Sequence, residues 1–164
     1  MRLVIKNWTT IILILSIIAI SSALIAEHIF NLLPCHMCYH QRYPYYFIIF
    51  IIIFSYFLKK NNSILPYVLM EIAIFYGLFY TFWHVGIERK IFSVPANCST
   101  TLENIFSKAD LKQQILNQNV VNCSDITWAV FGVSAATLNL ILLLFLLFFN
   151  TIYIYKINYD KEKN

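Results

Sequence analysis

The chain has 164 residues, 60% of them hydrophobic and only 12% charged, with a formal net charge of +4. So apolar a composition excludes an ordinary soluble domain, and because the basic residues cluster at the ends of apolar segments rather than forming a stripe, it gives no footing for nucleic acid. A single membrane domain over residues 1–164 is expected, an all-α protein built as a four-transmembrane-helix bundle.

After Arg2 and Lys6, the residues from Trp8 to Ala26 carry no charge. About 19 residues of helix cover about 28 Å, which spans a bilayer. Trp8 reads as an interfacial anchor. A cleaved signal peptide ending near Ser21-Ser22-Ala23 is the alternative, and the equally apolar segments downstream weigh against it. Glu27, His28 and Asn31 close this first span (about 8–26). Pro34-Cys35-His36-Met37-Cys38-Tyr39-His40-Gln41-Arg42 follows, and then a second span over about 43–58. Pro44 suits a first helical turn, where its missing N–H would be unpaired anyway, and Tyr43, Tyr45 and Tyr46 suit an aromatic belt.

Lys59-Lys60-Asn61-Asn62-Ser63 reads as a basic turn, and Pro66 again sits where a helix starts, opening a third span over about 65–83. Glu71 lies inside that span, where an ionisable group is costly and faces the bundle interior. A hydrogen bond to a polar group such as Asn139, or a place in the inner interface, would accommodate it. From about 84 to 127 the chain turns polar and carries Cys98 and Cys123 in one long loop between the third and fourth helices. Within this loop Thr100-Thr101-Leu102-Glu103 fits a capping box, and Leu102, Ile105, Phe106 and Ala109 fit a short amphipathic helix on the membrane surface. The fourth span, about 128–149, begins at Trp128 and opens with Gly132, Ser134, Ala135 and Ala136, small residues that permit close helix packing.

Orientation follows from Lys and Arg. In a four-span arrangement one side holds Arg2, Lys6, Lys59, Lys60, Lys156, Lys161 and Lys163, and the other holds Arg42, Arg89, Lys90, Lys108 and Lys112, seven against five. Both termini are then expected in the cytoplasm, with segments 27–42 and 84–127 and all four cysteines outside. In a bacterium that is the periplasmic side, where disulfides persist.

Two thiols spaced C-x-x-C can close a disulfide without backbone rearrangement, and such motifs often carry one thiol of depressed pKa. If the helix runs back through the motif, Cys38 and Arg42 are an i, i+4 pair and the guanidinium favours a Cys38 thiolate. Other readings stand beside this one. With His28, His36, His40 and His84 nearby in sequence, the cysteines could be ligands of a metal-binding membrane protein with no enzymatic activity. Cys98 and Cys123 could form a purely structural bridge, contributing about 3.5 kcal/mol by loop entropy. His84, at the outer end of the third span, could be an ordinary interfacial histidine.

The motifs together resemble the bacterial disulfide bond formation proteins of the DsbB type. The resemblance covers essentially the whole chain. It rests on Pro34-Cys35-x-x-Cys38-x-x-Gln41-Arg42, on His84-x-Gly86-x-Glu88 with Pro95-x-x-Cys98, and on Cys123-Ser124-Asp125 leading into Trp128-x-x-Phe131-Gly132-x-Ser134. Leu138-Asn139 departs from the family, where an aromatic residue would precede the Asn.

What the resemblance implies is an inner-membrane enzyme that reoxidises a DsbA-like periplasmic thiol oxidase and passes the electrons to ubiquinone or menaquinone. It also implies Cys35/Cys38 as the quinone-side pair, Cys98/Cys123 as the partner-side pair, and Arg42 and His84 as quinone-site residues. Reduced partner would attack Cys98, and the freed Cys123 would attack Cys35 by thiolate exchange. An enzyme resembling vitamin K epoxide reductase also combines four spans, cysteines and quinone chemistry, but there the loop pair commonly precedes the C-x-x-C, the reverse of the order here.

Overall fold

The computed structural model describes residues 7–58, 63–95, 123–124, 126, 128–130 and 132–163. Arg2, Lys6, the turn at 59–62, Cys98, the capping box at Thr100, Lys108, Lys112, Asp125 and Phe131 lie outside the described residues. Within them the chain forms four helices and one small hairpin: α1 Trp8–His28, α2 His36–Phe57, α3 Leu65–Glu88, β1 Ala129–Val130, β2 Val133–Ser134 and α4 Ala135–Glu162. Three helices are long and apolar enough to cross a membrane, namely α1, α3 and the Ala135–Lys161 stretch of α4. α2 is less apolar because its first two turns hold His36, His40, Gln41 and Arg42.

Each helix buries one stripe. On α1 it is Trp8, Ile12, Ser16 and Ile20, one residue per turn; on α3 it includes Tyr67, Met70, Ile74, Gly77, Thr81 and His84. These stripes meet Tyr45, Ile48, Ile51 and Ile52 of α2 and Leu143 and Leu146 of α4 in one core. α2 packs on both α1 and α3, and α3 packs on α4, with a smaller α1–α4 contact. The opposite faces are also apolar: Ile18, Phe50, Phe79, Phe82, Ile141 and Phe148 are all more than half exposed. A helix apolar on every side is stable only where its surroundings are apolar as well.

Three expectations are revised by this packing. α2 begins at His36, so Pro44 lies inside the helix rather than at its start. Cys35 caps that helix, its sulfur accepting the Cys38 N–H at 3.2 Å, and the ring of Pro44 nests against Gly77. A β-carbon on Gly77 would stand 2.6 Å from Pro44 Cγ, so only glycine allows α2 and α3 to approach there. Trp8 is not an interfacial anchor. It is 1% exposed, stacks on Phe149 and donates from Nε1 to Asn150 Oδ1 at 3.2 Å. Tyr45 leaves the aromatic belt for the core, whereas Tyr43 and Tyr46 stay exposed.

Trp128 does not begin the fourth helix. The chain first makes the β1–β2 hairpin, pairing Ala129 with Ser134 and Val130 with Val133, and turns at Gly132, whose φ of 80° favours glycine. Ser134 then caps α4, accepting the Thr137 N–H at 3.2 Å. Glu71 meets Asn150 and Thr151 of α4 rather than Asn139, with Thr151 Oγ1 donating at 2.5 Å. Asn150 also donates to the Tyr67 carbonyl at 3.0 Å. The intramembrane carboxylate is thus part of a polar clasp joining α1, α3 and α4.

Candidate functional site

The Cys35–Cys38 motif lies at the N-terminus of α2, where the backbone turns from extended (Cys35, φ −72°, ψ 165°) into helix. Both residues are free thiols. The extended cap conformation points the Cys35 sulfur back over the first turn, so it accepts the Cys38 N–H. It also meets His84 Nε2 of α3 at 3.7 Å. Gln41, one turn along α2, supports that contact, because its Nε2 lies 2.7 Å from His84 Nδ1. An amide nitrogen only donates, so Nδ1 accepts and Nε2 carries the proton toward sulfur.

The chain of donors runs further. Asn139 Nδ2 donates to Gln41 Oε1 at 3.2 Å and to Thr81 Oγ1 at 2.9 Å, and Tyr45 donates from its hydroxyl to Asn139 Oδ1 at 2.5 Å. Each helix other than α1 therefore contributes to holding His84. The hydrogen bond from the Cys38 thiol, followed by that from His84, outweighs burial and holds the Cys35 thiol well below its ordinary range. Arg42 was expected to favour a thiolate at Cys38 instead. The Cys38 thiol is the group that donates to Cys35, and Arg42 pairs with Glu27 of α1, its Nη1 2.6 Å from Oε2 and its guanidinium 5.2 Å from the Tyr39 ring centre.

Cys123 is fully buried and disulfide-bonded. It belongs to the same buried cluster as Cys35, Met37 and Ile87, against which Cys38 and Trp83 pack. Glu88, one turn beyond His84, completes the floor: its Oε1 is 4.0 Å from His84 Nε2, and its Oε2 accepts from Ser134 Oγ at 2.6 Å. A cavity of about 250 Å³ opens beside these groups. Its walls are mostly apolar, from Ala19 to Ala26 on α1 and from Ala135 to Leu142 on α4. Cys35, Cys38, Gln41, Arg42, His84 and Glu88 gather as its polar lining.

The family model for disulfide bond formation protein DsbB matches residues 5–153. The chain belongs to the DsbB family. Membership makes it a disulfide bond formation protein of the membrane, and the apolar helices fit a multi-pass arrangement. It is also 30% identical over 146 residues to an uncharacterized protein of Rickettsia prowazekii (strain Madrid E), covering 88% of this chain and 84% of that protein. No solved structure matches.

Of the residues expected at the site of this DsbB-family chain, Cys35, Cys38, Arg42, His84 and Cys123 come together around one cavity and its adjoining cluster. Cys98 lies outside the described residues. Three further residues enter that the sequence reading left without roles, Glu27, Gln41 and Glu88, and Asn139 meets Gln41 and Thr81 instead of Glu71. Part of the signal was available, since Glu88 follows His84, and Tyr45 follows Gln41, by four residues on one helix face. The partnerships of Glu27 and Asn139 join different helices, which spacing does not reveal.

Proposed function

We propose that the protein is a quinone-dependent protein-disulfide oxidoreductase of the bacterial inner membrane. In this reading it reoxidises a DsbA-like periplasmic thiol oxidase and reduces ubiquinone or menaquinone. Its arrangement is four spans, with α2 as the least apolar of them, both termini cytoplasmic, and the cysteines periplasmic. The observation that carries the proposal is the position of the Cys35–Cys38 dithiol between two things: disulfide-bonded Cys123 in a shared buried cluster, and a cavity with apolar walls and polar lining. A redox pair that served only a soluble partner would have no need of the second.

The residues at the cavity fit a quinone head group, since flat apolar walls would cover its ring while Arg42, His84 and Gln41 could meet its oxygens. When bound, the quinone supplies an acceptor for two electrons and two protons. The chain's own residues do the rest. A partner thiolate attacks Cys98, breaking the loop disulfide and releasing Cys123 as a thiolate. Cys123 then attacks Cys35, and the Cys35–Cys38 bond breaks with Cys38 as leaving group. His84, fixed by Gln41, donates to sulfur at position 35, and Arg42 provides a fixed positive charge on the cavity wall for negative charge developing there. The partner's second thiol then displaces Cys98 and leaves as the oxidised disulfide, Cys98 attacks Cys123 to re-form the loop disulfide and release Cys35, and closure of the Cys35–Cys38 disulfide would deliver two electrons and two protons to the acceptor.

The test is stoichiometric. Full-length protein in detergent, given reduced thiol partner and quinone, should consume one quinone per disulfide formed. Cys38→Ser should abolish the reaction, and Cys123→Ser should trap a partner adduct at Cys98. Thiol oxidation without quinone consumption, or normal turnover by Cys123→Ser, would overturn the relay.

A further inference from the structure

The donor atoms of Cys35, Cys38 and His84 all lie within 4.8 Å of one another. The Cys35 Sγ to His84 Nε2 separation is 3.7 Å. A tetrahedral zinc ion with Zn–S near 2.3 Å and Zn–N near 2.0–2.1 Å needs its sulfur and nitrogen ligands about 3.6 Å apart. The observed edge is therefore already that of a coordination tetrahedron. Two thiols and an imidazole also make a soft donor set, which selects Zn²⁺ and similar ions over Mg²⁺ or Ca²⁺.

Glu88 stands beside these donors without joining their 4.8 Å group, so the fourth position falls to solvent, as in open zinc sites. Glu88 Oε1 lies 4.0 Å from His84 Nε2, and its other oxygen is held by Ser134 at 2.6 Å. Gln41 sits 2.7 Å from His84 Nδ1, and with its amide turned so that the oxygen faces that nitrogen it would accept an Nδ1–H and leave Nε2 as the ligand atom. The cavity gives an ion a way in.

We propose that the dithiol form of Cys35–Cys38, with His84, is a binding site for one soft divalent cation, Zn²⁺ in chemical class. Binding releases the thiol protons to solvent and shifts the His84 proton from Nε2 to Nδ1, where the Gln41 carbonyl accepts it. It requires both sulfurs as separate thiolates. When Cys35 and Cys38 form their disulfide, two ligands are lost at once and the ion leaves. Metal and electron acceptor thus compete for the same two thiolates, so a bound ion arrests the protein in its reduced state. This inference does not rest on the quinone reading, because it needs only the reduced pair.

The experiment uses full-length protein in detergent, reduced under anaerobic conditions and freed of reductant. Zn²⁺ affinity is read by competition with a chromophoric chelator, and Co²⁺ serves as a spectroscopic probe of thiolate ligation. One ion per reduced chain and none per chain with the Cys35–Cys38 disulfide is expected, the oxidised wild type serving as the folded control. His84→Ala should weaken binding by at least about 10–100-fold, the loss that an outer-shell partner alone typically costs. Because reduction also opens the disulfide of Cys123, Cys123→Ser is measured in parallel and should still bind one ion. Equal uptake by the oxidised protein, wild-type affinity in Cys35→Ser or Cys38→Ser, or loss of the ion in Cys123→Ser would each overturn the proposal.

Discussion

At Cys35 three contacts converge on one sulfur, from the Cys38 backbone N–H, the Cys38 thiol and His84. A thiol stabilised in this way stays a thiolate as pH falls, and loses its nucleophilicity only when pH passes below its lowered folded pKa. Ordinary thiols protonate from about pH 8.5 downward. Alkylation of Cys35 in reduced, chelator-treated protein, followed by mass spectrometry, should therefore run at pH 6 close to its rate at pH 8. A rate falling tenfold per pH unit across that interval would count against the assignment. Gln41→Leu removes the group that fixes His84 and also leaves Asn139 without one of its acceptors. It should slow Cys35 alkylation at pH 6 while leaving the rate at pH 9 unchanged. Glu27→Gln frees Arg42 from its 2.6 Å ion pair and should alter the quinone KM without changing the alkylation profile of Cys35.

Among the elements, α2 shows how a local rule yields to packing. Proline inside a helix gives up a backbone hydrogen bond and costs about 3 kcal/mol. Here the Cys35 cap starts the helix early and Gly77 receives the proline ring. Gly77→Ala would place a β-carbon 2.6 Å from Pro44 Cγ. Overpacking of this kind typically costs about 1–3 kcal/mol, and thermal unfolding in detergent should register it as a lowered midpoint. Adding Pro44→Ala should restore much of the loss, because the clash is with that ring. At the other end of the bundle, Asn150 serves Trp8, Tyr67 and Glu71 together. Asn150→Leu takes the acceptor from the buried Trp8 indole N–H, at about 1–3 kcal/mol, and should lower the midpoint in the same assay.

For the whole molecule, the arrangement of apolar faces and basic ends leads to a sidedness test. After reduction of intact spheroplasts, a membrane-impermeant thiol reagent should reach Cys98 and Cys123 from outside; labelling confined to inverted vesicles would reverse the orientation. Much of this plan was legible in the chain alone. Long apolar runs at Trp8, Leu65 and Ala135 can hardly do anything but form apolar helices, since every backbone polar group in lipid must be paired within its own segment. The C-x-x-C spacing likewise brings two sulfurs together whatever surrounds them. Local sequence also determined the caps, with Cys35 and Ser134 each placed three residues before the amide it accepts. What only the tertiary structure decided is which partner each polar group takes. Arg42 meets Glu27 rather than Cys38, Asn139 holds Gln41 rather than Glu71, and Trp8 turns inward to Asn150. Those choices join residues on different helices, and they depend on the rotation and depth of each helix against its neighbours. In an all-round apolar helix the hydrophobic pattern hardly distinguishes one face from another, so the few polar residues and the close approach at Gly77 set the rotation that a linear sequence leaves open.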